Sequence, residues 1–255
     1  VVFLLMSGST EPCHGKWKEY CLEKERMGKE LYRWQEECLE KWFENGGRGM
    51  VQAVTGSGKT LLALTAAYRL AEGTKLRIKI VVPTGALMRQ WESALKDFFI
   101  SKEGEQMAGD LNREIGLRGA GCRSSPECRY MIYVINSARY ELARQILSEL
   151  RRGERILLIA DECHHYESGQ NRLIFEFLPY IDQYREKFFS LGLSATLPSG
   201  QAGRYLASVL GRKIYTYGMA EASEGHTVCK YDIYHIRLPF KRQERKEYEE
   251  LSERM

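Results

Sequence analysis

Residues 50–71 read MVQAVTGSGKTLLALTAAYRLA. A short apolar run, Met50 to Val54, leads into Thr55-Gly56-Ser57-Gly58-Lys59-Thr60, and an apolar helical pattern follows from Thr60 to Ala71. Strand, glycine loop and helix in that order are what a phosphate-binding loop requires. Gly56 and Gly58 lack a Cβ, so backbone N–H groups there can close around phosphate oxygens. The helix turns its positive N-terminal end toward the same anion. Lys59 is placed to neutralise β- and γ-phosphate charge, and the Thr60 hydroxyl to bind Mg2+. The pattern G-x-x-x-x-G-K-S/T has one departure, Ala53 at its first position. An ordinary Gly-Ser turn is the competing reading, against which Lys-Thr and both flanking elements weigh.

The alternation continues outward. Further apolar runs at Ile78 to Val82, Met131 to Ile135, Ile156 to Ala160 and Phe188 to Leu193 predict buried strands. Helical patterns fall at Gly85 to Phe99, Ala138 to Leu150 and Asn171 to Phe177. Repeated strand-then-helix order with continuous apolar strands implies an α/β fold: a mostly parallel sheet with helices on both faces. Before it, Trp17 to Trp42 shows helical spacing stopped by Asn45-Gly46-Gly47. Ser101 to Arg129, rich in Gly, Arg and Ser, is expected to be a loop or partly ordered insertion. Beyond Leu210 the pattern changes, with an exposed strand at Tyr231 to Leu238 and a charged helix from Lys241 to Met255.

The strand Ile156 to Ala160 runs into Asp161-Glu162-Cys163-His164-His165. In a parallel sheet the C-terminal strand ends line the ligand crevice, so this end is expected near the phosphate loop. Asp161 can hold Mg2+, through water, and Glu162 can orient and deprotonate an attacking water. Metal plus base is the minimum for hydrolysis. A metal site built from Glu-Cys-His-His competes with this. Adjacent side chains on an extended chain point in alternating directions, however, and do not converge easily on one tetrahedral ion.

Bulk properties narrow the class. Net charge is +4 with 44% apolar residues, a mildly basic balance that permits a phosphate-rich partner without demanding one. Seven cysteines at irregular spacing, with no CxxC, argue against a disulfide framework. Neither Cys13, His14 and Cys21 nor Cys122 and Cys128 have zinc-site spacing. The run Val1 to Met6 is too short for a membrane span or signal core and suits a buried strand, so an intracellular, cytoplasmic location is expected. The chain starts without Met and stops inside a charged pattern, and a fragment of a longer protein is the expectation.

TGSGKT, DECH and the later LSATLP, in order over about residues 31 to 200, resemble the superfamily 2 helicases and translocases. The likeness is greatest to the DEAH-like group that includes restriction-enzyme motor subunits and excision-repair helicases, where Ala at the first loop position is common. It implies a RecA-like P-loop NTPase domain that couples ATP hydrolysis to movement on, or unwinding of, nucleic acid. DNA is favoured over RNA. The resemblance places an N-terminal extension at 1–30, the first RecA-like domain at 31–218, and a linker and the start of a second domain at 219–255. Leu31-Tyr32-Arg33-Trp34-Gln35 resembles the motif whose glutamine, here Gln35, reads the adenine edge; a surface glutamine on an amphipathic helix is the alternative. Pro83, Thr84 and Arg89, in a stretch resembling motif Ia, would touch nucleic-acid phosphate. Trp91 there suits helix core better than base stacking. Asn136 and Ser137 stand where another strand-contacting motif is expected, and a helix N-cap is an equal reading. Ser194-Ala195-Thr196 matches the motif that links the ATP site to nucleic acid, with Ser194 and Thr196 hydroxyls reaching the Asp161–His164 segment. A plain polar strand end is its alternative.

The resemblance also implies a second RecA-like domain that supplies transition-state arginines, and restriction or repair subunits as partners. No Q-x-x-G-R-x-x-R string follows Thr196. The rivals are another P-loop class and a nucleotide-gated binding module without useful turnover. No LSGGQ-like string points to a transporter ATPase, and DECH and SAT weigh against a small-molecule kinase.

Overall fold

The structure is a computed structural model that describes residues 4–5, 31–72, 75–103, 108–228 and 232–233. The chain divides into two compact units, Tyr20–Val228 and a second formed by Val1–Glu19 with Cys229–Met255. In the second, strand β1 (Leu4–Leu5) pairs antiparallel with β10 (Asp232–Ile233), Leu4 opposite Ile233. The rest of the strand expected at Tyr231 to Leu238, the helix at Lys241 to Met255 and the Cys13-His14-Cys21 group lie outside the described residues.

The larger unit is built on an eight-stranded sheet. Its strands are β2 (Arg48–Ala53), β3 (Leu76–Val82), β4 (Ile115–Gly119), β5 (Cys122–Arg123), β6 (Tyr130–Val134), β7 (Arg155–Asp161), β8 (Phe188–Ser194) and β9 (Lys213–Tyr217). They lie in the order β5-β4-β6-β3-β7-β8-β2-β9, all parallel except β5 against β4. The central strands are buried on both faces, which explains their unbroken apolar runs. Helices α1 (Arg33–Glu44), α2 (Lys59–Ala71) and α3 (Gly85–Glu103) cover one face, with Trp42, Leu62 and Trp91 in its core. Helices α5 (Ile135–Arg151) and α6 (Gly200–Leu210) cover the other around Leu142, Ile146 and Leu206. Two short helices, α4 (Ala108–Glu114) and α7 (Met219–Glu224), complete the unit. Trp34 of α1 stacks on Tyr217 of β9 at 4.6 Å between ring centroids.

Register aligns the strand ends. Gln52 pairs with Ser194, Leu193 with Asp161, Ala160 with Val81, and Val82 with Val134. The loops after β2, β8, β7, β3 and β6 therefore leave the sheet along one edge.

Two expectations are corrected. Asn171 to Phe177 does not form an α-helix: 3-10 turns run over Gly169–Phe175 and Leu178–Tyr184. The stretch between Gly169 and Pro179 is too short to repay α-helix nucleation, and tighter turns bury Ile174, Phe175 and Phe177 instead. Ser101 to Arg129 is not merely a loop, since α4, β4 and β5 lie within it. Its Gly116, which suggested a loop, is a packing glycine: a Cβ there would run into the Met131 sulfur and Cys128. Strand β9, unmarked in the sequence reading, closes the far side of the sheet.

The sheet also encloses a charge pair. Lys79 of β3 donates to Glu149 of α5 at 2.7 Å, their side chains 0% and 1% exposed. Gln145 donates to the same carboxylate oxygen at 3.2 Å and accepts from the Tyr133 hydroxyl.

Candidate nucleotide site

The loop after β2 closes through its own polar groups. Ser57 Oγ and Ser57 N–H both donate to the Val54 carbonyl, at 2.7 and 3.3 Å. Lys59, the first residue of α2, sends its ammonium back to the carbonyls of Ala53 at 2.8 Å and Val54 at 3.2 Å. Thr55 and Gly56 are exposed at the loop's crest. Gly58 has φ +91°, and a Cβ there would stand 2.7 Å from the Gln35 amide nitrogen, so glycine is required on both counts.

Gln35 is fully buried rather than displayed. Its Oε1 accepts the Tyr32 N–H at 2.8 Å and its Nε2 donates to the Gly58 carbonyl at 3.0 Å. The surface-glutamine alternative is thereby removed: the side chain fastens the start of α1 to the phosphate loop. Gln35→Ala is expected to lower the melting temperature without nucleotide, at a cost of about 1–3 kcal/mol for the lost buried bonds. An unchanged melting temperature would show that Gln35 does not hold the loop.

The acidic end lies one strand away, across β8. Asp161 is 7% exposed. Its Oδ2 accepts the Trp91 indole N–H at 2.7 Å and its Oδ1 the Glu162 N–H at 3.1 Å. Burial pushes its carboxyl above the usual range, while the Trp91 bond works the other way. Burial pulls the Lys59 ammonium down, opposed by the negative charges of Glu162 and Asp161. Glu162 sits at φ +48°, ψ +47°, left-handed for a non-glycine residue. That turn carries its side chain out of the strand line while Cys163 packs into the core beside Gly192. Cys163 alone turns inward, whereas Glu162 and His164 stay together outside the core, because the chain here is a left-handed residue followed by a 3-10 turn and not the extended strand expected. Among the described residues no three His, Cys, Asp or Glu side chains converge as metal ligands.

His164 Nδ1 lies 2.8 Å from Ser194 Oγ and 3.4 Å from Glu162 Oε2. Burial and the neighbouring His165 lower its pKa, which favours the neutral ring. Ser194 Oγ also donates to the Thr196 carbonyl at 2.5 Å. Ser194 thus touches the acidic segment as expected, whereas Thr196 is exposed and its backbone bonds to Ser194 rather than to that segment, so the expected reach of its hydroxyl is corrected.

The remaining site residues lie along the same edge. Thr84 is exposed, and its Oγ1 accepts the Leu87 N–H at the start of α3. Pro83 is half-buried beside it. Arg89 is exposed and bonded to Glu92 at 3.0 Å and to the Cys122 sulfur at 3.1 Å. Asn136 is exposed and Ser137 half-buried in the first turn of α5. Val134 is the N-cap, so the N-cap reading of Asn136 and Ser137 is corrected. The helix begins where the apolar strand ends, two residues earlier than a polar cap would place it. Sequence reasoning missed the turn after β4, where Gly119, Ala120 and Gly121 all have positive φ. A Cβ on Gly119 would lie 3.0 Å from Ser137 Oγ, and one on Gly85 2.8 Å from Ala120 Cβ, so this turn abuts the starts of both helices. Its signal was the Gly-Ala-Gly string between two short apolar pieces.

The mostly parallel sheet has the fold of solved helicases, and the family and relative that the chain matches make it the first RecA-like half of a superfamily 2 helicase motor. The chain belongs to the family of type III restriction enzyme res subunits, whose model matches residues 28–199. Over 174 residues it is 29% identical to a POLQ-like helicase of Caenorhabditis elegans, covering 66% of this chain and 18% of that protein. In fold it is similar to the UvsW helicase of bacteriophage T4, with TM-score 0.53 and 18% identity over 84% of this chain and 64% of that one. It is similar too to the DUF1998 helicase MrfA bound to DNA, with TM-score 0.56 and 16% identity over 85% and 31% of the two chains. The chain spans less than two thirds of each of these relatives. No helix among the described residues is long and apolar enough to cross a membrane.

Proposed function

We propose that residues 31–218, with the short helix packed on them up to Val228, bind ATP and Mg2+ as the first half of a motor that moves on DNA. The observation that carries this is the register that sets the Lys59 loop after β2 and the Asp161-Glu162 end of β7 on one edge of the sheet, with only β8 between them. Thr55, Gly56, Ser57 and Gly58 wrap the phosphates, and Lys59 leaves the Ala53 and Val54 carbonyls to neutralise their charge. To read an adenine edge, Gln35 would have to turn its amide out from the bonds to Tyr32 and Gly58 that bury it. Thr60 and Asp161 offer the hard oxygen donors that Mg2+ prefers, Asp161 through water. Once bound there, the metal would supply charge neutralisation between the β- and γ-phosphates. Glu162 accepts the proton of the attacking water, and His164, Ser194 and Thr196 couple that event to nucleic acid. Pro83, Thr84, Arg89, Asn136 and Ser137 lie along the edge where phosphate contacts would position a strand without reading its bases.

Transition-state arginines come from a second RecA-like domain in the full-length protein, with restriction or repair subunits as its partners and a cytoplasmic location. This chain alone is expected to turn ATP over slowly. In the full-length protein, saturating single-stranded DNA should raise ATP turnover. Equal turnover with and without DNA would overturn the motor reading.

A further inference from the structure

Helix α3 spans the two halves of this chemistry. Its N-terminal end carries Thr84 and Gly85 against the Ala120 turn, and its second turn carries Trp91. The Trp91 side chain is 1% exposed, and its one polar atom donates to Asp161 Oδ2 at 2.7 Å. Indole is a donor only, and a buried indole N–H needs an acceptor. Here the acceptor is the carboxylate assigned to the metal, seventy positions away in sequence. A neutral N–H on a carboxylate is a charge-assisted bond, stronger than one between neutral groups and directional. A second tie lies beside it. The Tyr166 hydroxyl stands 2.6 Å from the Asp161 carbonyl and 2.9 Å from the Val81 carbonyl, joining the end of β7 to the strand that leads into α3.

We infer that Trp91 is a positioning residue that transmits nucleic-acid binding at the start of α3 to the Asp161 carboxylate through its indole N–H. The inference rests on the motor reading above. A strand held at Thr84 bears on the first turn of α3. The helix is stiff and Trp91 sits in a close-packed core, so a small displacement of that turn reorients the N–H. The N–H in turn fixes which Asp161 oxygen faces the crevice. By reciprocity, whatever Asp161 holds must alter the affinity of the strand at Thr84 by the same factor.

The test separates the N–H from the ring. Trp91→Phe removes the N–H and shrinks the side chain. 3-Benzothienylalanine at position 91 keeps the bicyclic shape and replaces N–H with sulfur. In the full-length protein, the affinity for single-stranded DNA is measured with and without a non-hydrolysable ATP analogue in Mg2+, beside ATP turnover with and without DNA and the melting temperature. We expect both variants to lose about tenfold in the nucleotide effect on DNA affinity and in DNA stimulation, the size of one charge-assisted bond. The benzothienyl protein should melt below the parent only by the loss of that one bond, and above Trp91→Phe, which loses packing as well. Retention of both ratios in the benzothienyl protein overturns the inference, even if Trp91→Phe loses them, because ring packing would then be the cause. A parent protein whose DNA affinity ignores nucleotide and whose turnover ignores DNA overturns the motor reading itself, and the inference with it.

Discussion

Glu162→Gln in the full-length protein is expected to bind ATP as the parent does and to hydrolyse it about 10²- to 10⁴-fold more slowly, the range that a general base supplies. The amide keeps the size and shape of the carboxylate but cannot take a proton from water. Its backbone place is fixed independently of the side chain, by the Glu162 N–H bond to Asp161 Oδ1 and the His165 N–H bond to the Glu162 carbonyl. Nucleotide affinity should therefore survive. Lys59→Ala is expected to lose both functions, because the ammonium is the one cation that the loop Thr55 to Thr60 carries. Binding of a fluorescent ATP analogue and phosphate release, measured side by side, separate the two variants. Parental turnover in Glu162→Gln would remove that carboxylate from the chemistry.

The second large effect is on stability. Lys79→Met leaves the Glu149 carboxylate inside the fold without its cation and should cost about 3–5 kcal/mol. Against a typical domain stability of about 5–15 kcal/mol, that is enough to populate unfolded chain. Burial already pushes Glu149 up and Lys79 down, each toward its neutral form, so desolvation is the dominant force on the pair. Glu149 Oε2 has no hydrogen-bond partner among the described residues, which adds to that cost. Replacing both, Lys79→Met with Glu149→Leu, should recover most of the loss, since a well-packed apolar pair removes both desolvation terms. Urea midpoints of the two single variants and the double variant decide it. A double variant as unstable as the sum of the singles would show that the two charges are not coupled.

The parallel sheet was legible because its strands are buried on both faces. Ile78 to Val82 and Ile156 to Ala160 are apolar at nearly every position, and only a covered parallel strand tolerates that. Lys79 is the exception inside that run, and sequence alone offered no sign of its partner seventy positions on. That the loop after β2 and the Asp161-Glu162 end of β7 would share one edge was legible because successive strands of a parallel sheet end on the same side. What escaped depended on contacts between distant segments. Gly116 suggested a loop until Met131 was beside it, and Trp91 showed as helix core without its bond to Asp161. Gln35 showed as an adenine-reading glutamine, with a surface position as its alternative, and only the fold reveals that it is buried against the phosphate loop. Strand β9 is short and half-exposed, and its pairing with β2 and stacking on Trp34 come from tertiary structure.

The left-handed backbone at Glu162 has an evolutionary consequence. For a glutamate this conformation costs about 1–2 kcal/mol relative to the ordinary helical well, whereas glycine would occupy it without penalty and asparagine with less. Folding alone therefore favours drift at position 162 toward those residues, and only use of the carboxylate opposes it. Among descendants of this chain, glycine or asparagine at that site would mark copies released from catalytic duty, and a retained glutamate would mark those still at work.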